Sequence, residues 1–193
     1  MKKIETIPVE CSGRHVHLCI EHVKALFGKD ALTPVKELSQ PGQYVCEERV
    51  DLIGPKATFT GVAVLWPPRP KTQVELSRTD AIALGVKPPV RMSGDLEGSV
   101  DILIRVGENE VEAKGSVIVA KRHIHIHPDD EAVLGIKNGD CVDLFIDGER
   151  PVILMNVDVR TDPMYRRAVH IDYDEGNAAG SGKETTATVW RNE

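Results

Sequence analysis

Apolar positions in this chain come in short bursts separated by turn-forming residues. The segments "VDILIRV" (100–106), "EAKGSVIVA" (112–120), "CVDLFIDG" (141–148) and "PVILMNVDV" (151–159) are rich in Val, Ile and Leu. Such windows predict β-strands. Asp147-Gly148 in "DGER" supplies a tight-turn signal between the last two, which predicts a hairpin. Helical patterning is scarce. It is clearest over 20–28, 78–85 and 128–134, each of about two turns. The Pro-rich "WPPRPKT" (66–72) cannot be a central strand and reads as a rigid crossing loop. The tail from "GNAAGSG" reads as a flexible or ligand-approaching loop that leads into a last strand, "TTATVW". Many short strands with few brief helices predict a mainly β protein with short α-helices, built as small barrels capped by helices.

A repeat is superimposed on this pattern. "RHVHLCIEH" (14–22) aligns without a gap with "RHIHIHPDD" (122–130), and "VELSRTDAIALGVK" (74–87) aligns with "IHIHPDDEAVLGIK" (124–137). Each copy reads as a strand running into a short helix, and the last two helices stop at Leu-Gly-Val/Ile-Lys. Ser77 and Asp80 form an N-cap pair in the middle copy. The register sets Glu75 where the other copies have His17 and His125.

Composition narrows the function classes. The chain has 193 residues and a net charge of -6, which argues against a nucleic-acid partner while leaving room for a local basic pocket. No apolar run approaches the roughly 20 residues that span a bilayer, and "MKKIETIPVE" lacks the apolar core of a signal peptide. The expectation is a cytoplasmic protein with no membrane partner. Its four cysteines are scattered, with no CxxC, and read as free thiols.

The histidines carry the chemistry. In a strand, residues i and i+2 share a face about 6 to 7 Å apart. Two imidazoles there can converge on one ion, so His15/His17 and His123/His125 each read as half of a zinc site. The alternative is that they are ordinary surface or core residues. Third ligands are sought in His170, within "AVHIDYDEGNAAG", and in Glu75. His22, His127 and Cys19 are weaker candidates, better explained by helix or cap positions. Arg14 and Arg122 point to the opposite strand face, where pairing with carboxylates is a sufficient role. Arg69 is different, because Pro68 and Pro70 stiffen its loop six residues before Glu75. A fixed guanidinium beside a metal suits phosphate.

Taken in order, "SGRHVHL", "RPKTQVELS", "PVRMSGD", "KRHIHI" and "HIDYDEGNAAG" span nearly the whole chain. This set resembles the phosphate propanoyltransferase family, the phosphotransacylases of propanediol utilisation. The resemblance implies an acyltransferase that interconverts propanoyl-CoA or acetyl-CoA plus phosphate with an acyl phosphate plus coenzyme A. It implies two β-barrels with capping helices, one of residues 13–120 and one of 1–12 with 121–193. It also implies two adjacent zinc ions, one held by His15, His17 and Glu75, the other by His123, His125 and His170. Arg69 would bind phosphate and serve catalysis by direct, zinc-assisted transfer, since no Ser-His-Asp or Cys-His nucleophile is evident. A homo-oligomer is expected by analogy. Cys19 and His127 depart from the Ser or Thr common at their positions. Members enclosed in bacterial microcompartments often carry an amphipathic N-terminal extension; none is seen here, so encapsulation stays an open alternative. Two other readings compete: a metal-dependent hydrolase of a thioester or acyl phosphate, and a non-catalytic metal-binding barrel.

Overall fold

A computed structural model describes residues 5–190. Its strands are β1 (Ile7–Ser12), β2 (His15–His17), β3 (Pro34–Glu37), β4 (Tyr44–Ile53), β5 (Thr58–Trp66), β6 (Gln73–Leu76), β7 (Val90–Arg91), β8 (Val100–Val106), β9 (Asn109–Ala120), β10 (His123–Ile126), β11 (Cys141–Asp147), β12 (Val152–Thr161), β13 (Ala168–Asp172) and β14 (Thr186–Trp190). The helices are α1 (Ile20–Phe27), α2 (Arg78–Leu84), α3 (Asp130–Leu134) and α4 (Tyr173–Ala179).

The chain divides into two compact units. Gly13–Ala120 form one; the segment ending at Ser12 and everything from Lys121 form the other. In the first unit, strands close in the order β4-β5-β2-β6-β9-β8 and back to β4, with β3 beside β4 and β7 beside β9. In the second, β1-β13-β10-β12-β11-β14 close through the β14–β1 pairing. Both are six-stranded barrels, and each has its own apolar core. Val16, Leu18, Val64, Val74, Leu76 and Val117 belong to one; Ile124, Ile126, Leu144, Val157 and Val169 belong to the other. No helix among the described residues is long and apolar enough to cross a membrane.

The repeat has a fourth copy that the alignments above did not contain. β2-α1, β6-α2, β10-α3 and β13-α4 are all strand–helix units, and every helix ends on a glycine in the left-handed region, Gly28, Gly85, Gly135 or Gly180. In one barrel β2 pairs antiparallel with β6; in the other β10 pairs antiparallel with β13. The outer neighbours of both pairs run parallel to them, β5 and β9 in one case, β12 and β1 in the other.

The residue before each of these strands reaches the start of the opposite helix of its pair. Arg14 Nη1 lies 2.5 Å from Asp80 Oδ1, and Arg122 Nη1 lies 2.5 Å from Glu175 Oε1. Arg167 pairs with Asp130. The fourth contact is uncharged, Thr72 Oγ1 to His22 Nδ1 at 2.8 Å. This gives Arg14 and Arg122 carboxylate partners, and it accounts for His22 as a hydrogen-bonded helix residue.

One reading of the tail is corrected. "GNAAG" belongs to α4 instead of a loop, because Asp172 and Glu175 form a capping box that starts the helix. Gly176 then allows the helix to lie against β1, where an added Cβ would sit 2.4 Å from Cys11 Sγ. At α3 the expected helix is shortened: a turn over Pro128 and Asp129 precedes its first helical residue, Asp130. Ser77 caps α2 as expected, accepting from the Asp80 N–H at 3.2 Å.

Candidate metal centres and their surroundings

The polar residues of the four repeated strands occupy the face opposite the core. Val16 and Leu18 are fully or almost fully buried inside one barrel while His15 and His17 turn the other way; Ile124 and Ile126 alternate with His123 and His125 in the same manner. Antiparallel pairing then brings ligands from two strands together. His15 stands opposite Glu75 and His17 opposite Gln73. In the other barrel His123 stands opposite His170 and His125 opposite Ala168.

The result is two triads. The ligand atoms of His15, His17 and Glu75 lie within 4.8 Å of one another, as do those of His123, His125 and His170. All six residues expected to hold metal fall within these two groups. Cys19 and His127 stand outside both triads. Cys19 Sγ accepts from Thr72 Oγ1 at 3.4 Å, and His127 Nδ1 accepts from the Asp129 N–H at 3.2 Å.

Proton bookkeeping suits a cation. Nδ1 of His15 lies 2.9 Å from the Gly13 carbonyl, and Nδ1 of His123 lies 2.9 Å from the Lys121 carbonyl. A carbonyl only accepts, so each Nδ1 is a donor, and in the neutral ring it is Nε2 that carries the lone pair. Burial, with His15 and Arg69 nearby, holds the His17 pKa well below its usual value. Burial and the neighbouring His170, His123 and Arg160 hold His125 at about 2. Both ring nitrogens of His125 are buried without a hydrogen-bond partner, a costly state for an imidazole with nothing to ligate. For Glu75, burial favours protonation, but His15, His17, Ser93 and Arg69 outweigh it and hold the carboxyl at about 2. Neutral imidazoles and an ionised carboxylate are the forms that bind a divalent ion. Three protein ligands per triad also leave a tetrahedral ion an open position, so the residues fit catalytic zinc.

Arg69 lies beside the Glu75 triad. Its backbone N–H donates to the Leu18 carbonyl at 3.0 Å, fixing the proline-flanked loop. Its Nη1 donates to Ser93 Oγ at 2.9 Å. Ser93 donates in turn to Glu75 Oε1 at 2.7 Å. Gln73 Nε2 reaches Glu75 Oε1 at 2.5 Å and Ser93 Oγ at 3.0 Å, while Gln73 Oε1 accepts from the Gly94 N–H at 2.8 Å. Sequence reasoning missed both Gln73 and Ser93. Gln73 was legible in principle, since it sits two residues before Glu75 on one strand face. Ser93 falls within "PVRMSGD", but nothing in that window ties its hydroxyl to Glu75.

In the second barrel Tyr165 stacks on His125, with ring centroids 3.9 Å apart, and His170 Nδ1 lies 3.7 Å from Glu10 Oε2. Glu10 there is an acidic neighbour of the triad's third imidazole.

Comparison with known proteins identifies the family. A family model described as phosphate propanoyltransferase matches residues 8–182. A protein named phosphate propanoyltransferase from Sebaldella termitidis is 51% identical over 95% of this chain and 87% of its own length. One of the same name from Alkaliphilus metalliredigens is 50% identical over 95% and 87%, and one from Listeria monocytogenes is 49% identical over 92% and 84%. With most of its length matched, the chain belongs to the phosphate propanoyltransferase family of acyltransferases.

Proposed function

We propose that this enzyme transfers a short acyl group, propanoyl or acetyl, reversibly between coenzyme A and inorganic phosphate, using two zinc ions. His15, His17 and Glu75 hold one ion, and His123, His125 and His170 hold the other. The observation that carries the reading is the hydrogen-bonded link from the Glu75 carboxylate through Ser93 to the Arg69 guanidinium, within a member of this family. That link sets a phosphate-sized cationic fork beside a cation-binding triad. Its natural ligand is a phosphate oxyanion.

Arg69 binds phosphate and aims one oxygen at the thioester carbonyl carbon. As the new C–O bond forms, the C–S bond breaks. The proton of hydrogen phosphate passes to the departing coenzyme A sulfur, leaving acyl phosphate and free thiol. When bound, zinc supplies Lewis-acid polarisation of the carbonyl and favours the thiolate leaving group. The hydrogen bonds of His15 and His123 to Gly13 and Lys121 select the tautomer that leaves Nε2 for the ion and hold the rings in place. The Cys19 thiol is engaged by Thr72 and by Glu21 at the start of α1, which favours direct attack over an acyl-enzyme. The reaction belongs to the cytoplasm, where both substrates occur.

The test is thioester formation from propanoyl phosphate and coenzyme A, followed by absorbance with zinc-loaded protein. Chelator-sensitive formation that reverses on adding phosphate is the expected result. Hydrolysis without coenzyme A dependence would favour a metallohydrolase, and no reaction with retained zinc would favour a non-catalytic metal-binding barrel. Arg69→Ala is expected to lower the rate about a hundredfold or more while zinc content holds. Unchanged phosphate-dependent turnover would remove Arg69 from the reaction.

A further inference from the structure

The Ser93 hydroxyl is saturated. A serine hydroxyl has one proton to give and two lone pairs to fill. Arg69 Nη1 and Gln73 Nε2 can only donate, so they fill the lone pairs at 2.9 and 3.0 Å. The proton therefore goes to Glu75 Oε1 at 2.7 Å. The same oxygen takes a second hydrogen bond from Gln73 Nε2. Gln73 cannot reverse its amide, because the Gly94 N–H holds Oε1 in place and a reversed carbonyl would face the carboxylate.

This divides the work between the two oxygens of Glu75. Oε1 is committed to Ser93 and Gln73. Oε2 lies 3.5 Å from His15 Nε2 and is the oxygen turned to that imidazole. The second barrel differs at the equivalent place. Ala168 stands where Gln73 would be, and its third ligand is an imidazole, which has a single lone pair to aim. A carboxylate can rotate and offer either oxygen or both. It needs the brace to act as a one-oxygen ligand.

We propose that Ser93 is the positioning residue that fixes both the ligating oxygen of Glu75 and the guanidinium of Arg69, and so sets metal affinity and phosphate affinity through one hydroxyl. Gln73 locks Ser93 in that orientation. This rests on the function proposed above and adds a residue through which its two binding events are joined.

The test compares Ser93→Thr with Ser93→Val, two side chains of equal shape that differ in the hydroxyl, alongside Ser93→Ala. Three quantities are read: ions per chain with zinc affinity by chelator competition, inorganic phosphate binding by calorimetry on zinc-loaded protein, and the separate KM values for phosphate and coenzyme A. In the Val and Ala variants, zinc at one of the two sites should bind about tenfold more weakly, in the range seen when a group orienting a metal ligand is lost. Phosphate binding and its KM should weaken by a similar factor, with the KM for coenzyme A unchanged. The Thr variant should recover both. Equal loss in Thr and Val, or a uniform fall in turnover with both affinities intact, would overturn the role of Ser93 and leave the acyltransferase reading standing. Unsubstituted protein that binds neither zinc nor phosphate would overturn that reading and this one together.

Discussion

Single side chains decide chemistry here by what their second atom is doing. In the proposed zinc sites, His15 and His123 are suited as ligands because a backbone carbonyl has claimed the other nitrogen; Glu75 is suited because Ser93 and Gln73 have claimed the other oxygen. Away from the triads, Glu48 shows the same logic applied to stability. Burial raises its pKa, but the Lys29 ammonium at 2.8 Å and the Thr33 N–H and hydroxyl outweigh this and hold it at about 2, below its ordinary 4.5. A depressed carboxyl stabilises the fold above its unfolded pKa and loses that contribution as pH falls through its folded one. Glu48→Gln should therefore be less stable than the parent above about pH 4.5, the gap closing towards pH 2. Denaturant melts across pH 2 to 6 would read it, and a constant gap would show that the effect is not electrostatic. Four of the six triad residues were legible in the sequence because i, i+2 spacing on a strand is a local rule, while Glu75 came from the repeat's register, His170 from its segment, and the grouping from the family resemblance. Ser93 was not: it lies 18 positions from Glu75, and only folding brings its hydroxyl to the carboxylate.

At the scale of elements, the strand–helix unit is the repeated part, and its legibility varied with how much of the pattern was polar. The copies containing His-x-His announced themselves. The copy at β13-α4 kept a single histidine and began its helix with "YDEG", a glycine that reads as loop until its neighbour is known. That neighbour is Cys11. Gly176→Ala would normally favour a helix by about 1 kcal/mol, yet the new methyl meets Cys11 Sγ at 2.4 Å. The overpacking, of about 1 to 3 kcal/mol, should make the variant less stable overall. Adding Cys11→Ala should restore it, since the sulfur is what the methyl strikes. Thermal melts of the single and double variants would check this; no rescue would mean that the helix itself, and not its packing, had been disturbed.

On the scale of the whole molecule, each barrel supplies all three residues of its own triad. Metal loss should therefore be separable. His170→Ala is expected to reduce zinc from about two ions per chain to about one, with the Glu75 triad still filled; elemental analysis of the purified variant reads it, and full zinc would exclude His170 as a ligand. Barrel count and closure were less legible than the triads. Short apolar windows say that strands exist, but a parallel partner such as β13 for β1 is separated by most of the chain, and no local pattern encodes it.

The placement of β1 has a consequence for synthesis. It is the first described strand to leave the ribosome, yet its pairing partners, β13 and β14, come from Ala168 onward. Gly13–Ala120 can fold as soon as they emerge, as domains do on a growing chain. Throughout that time the Ile7 and Val9 side chains, buried in the finished protein, have no barrel to enter. The earliest strand is the last to be sealed, and for most of translation its apolar face is open to chaperones and to aggregation.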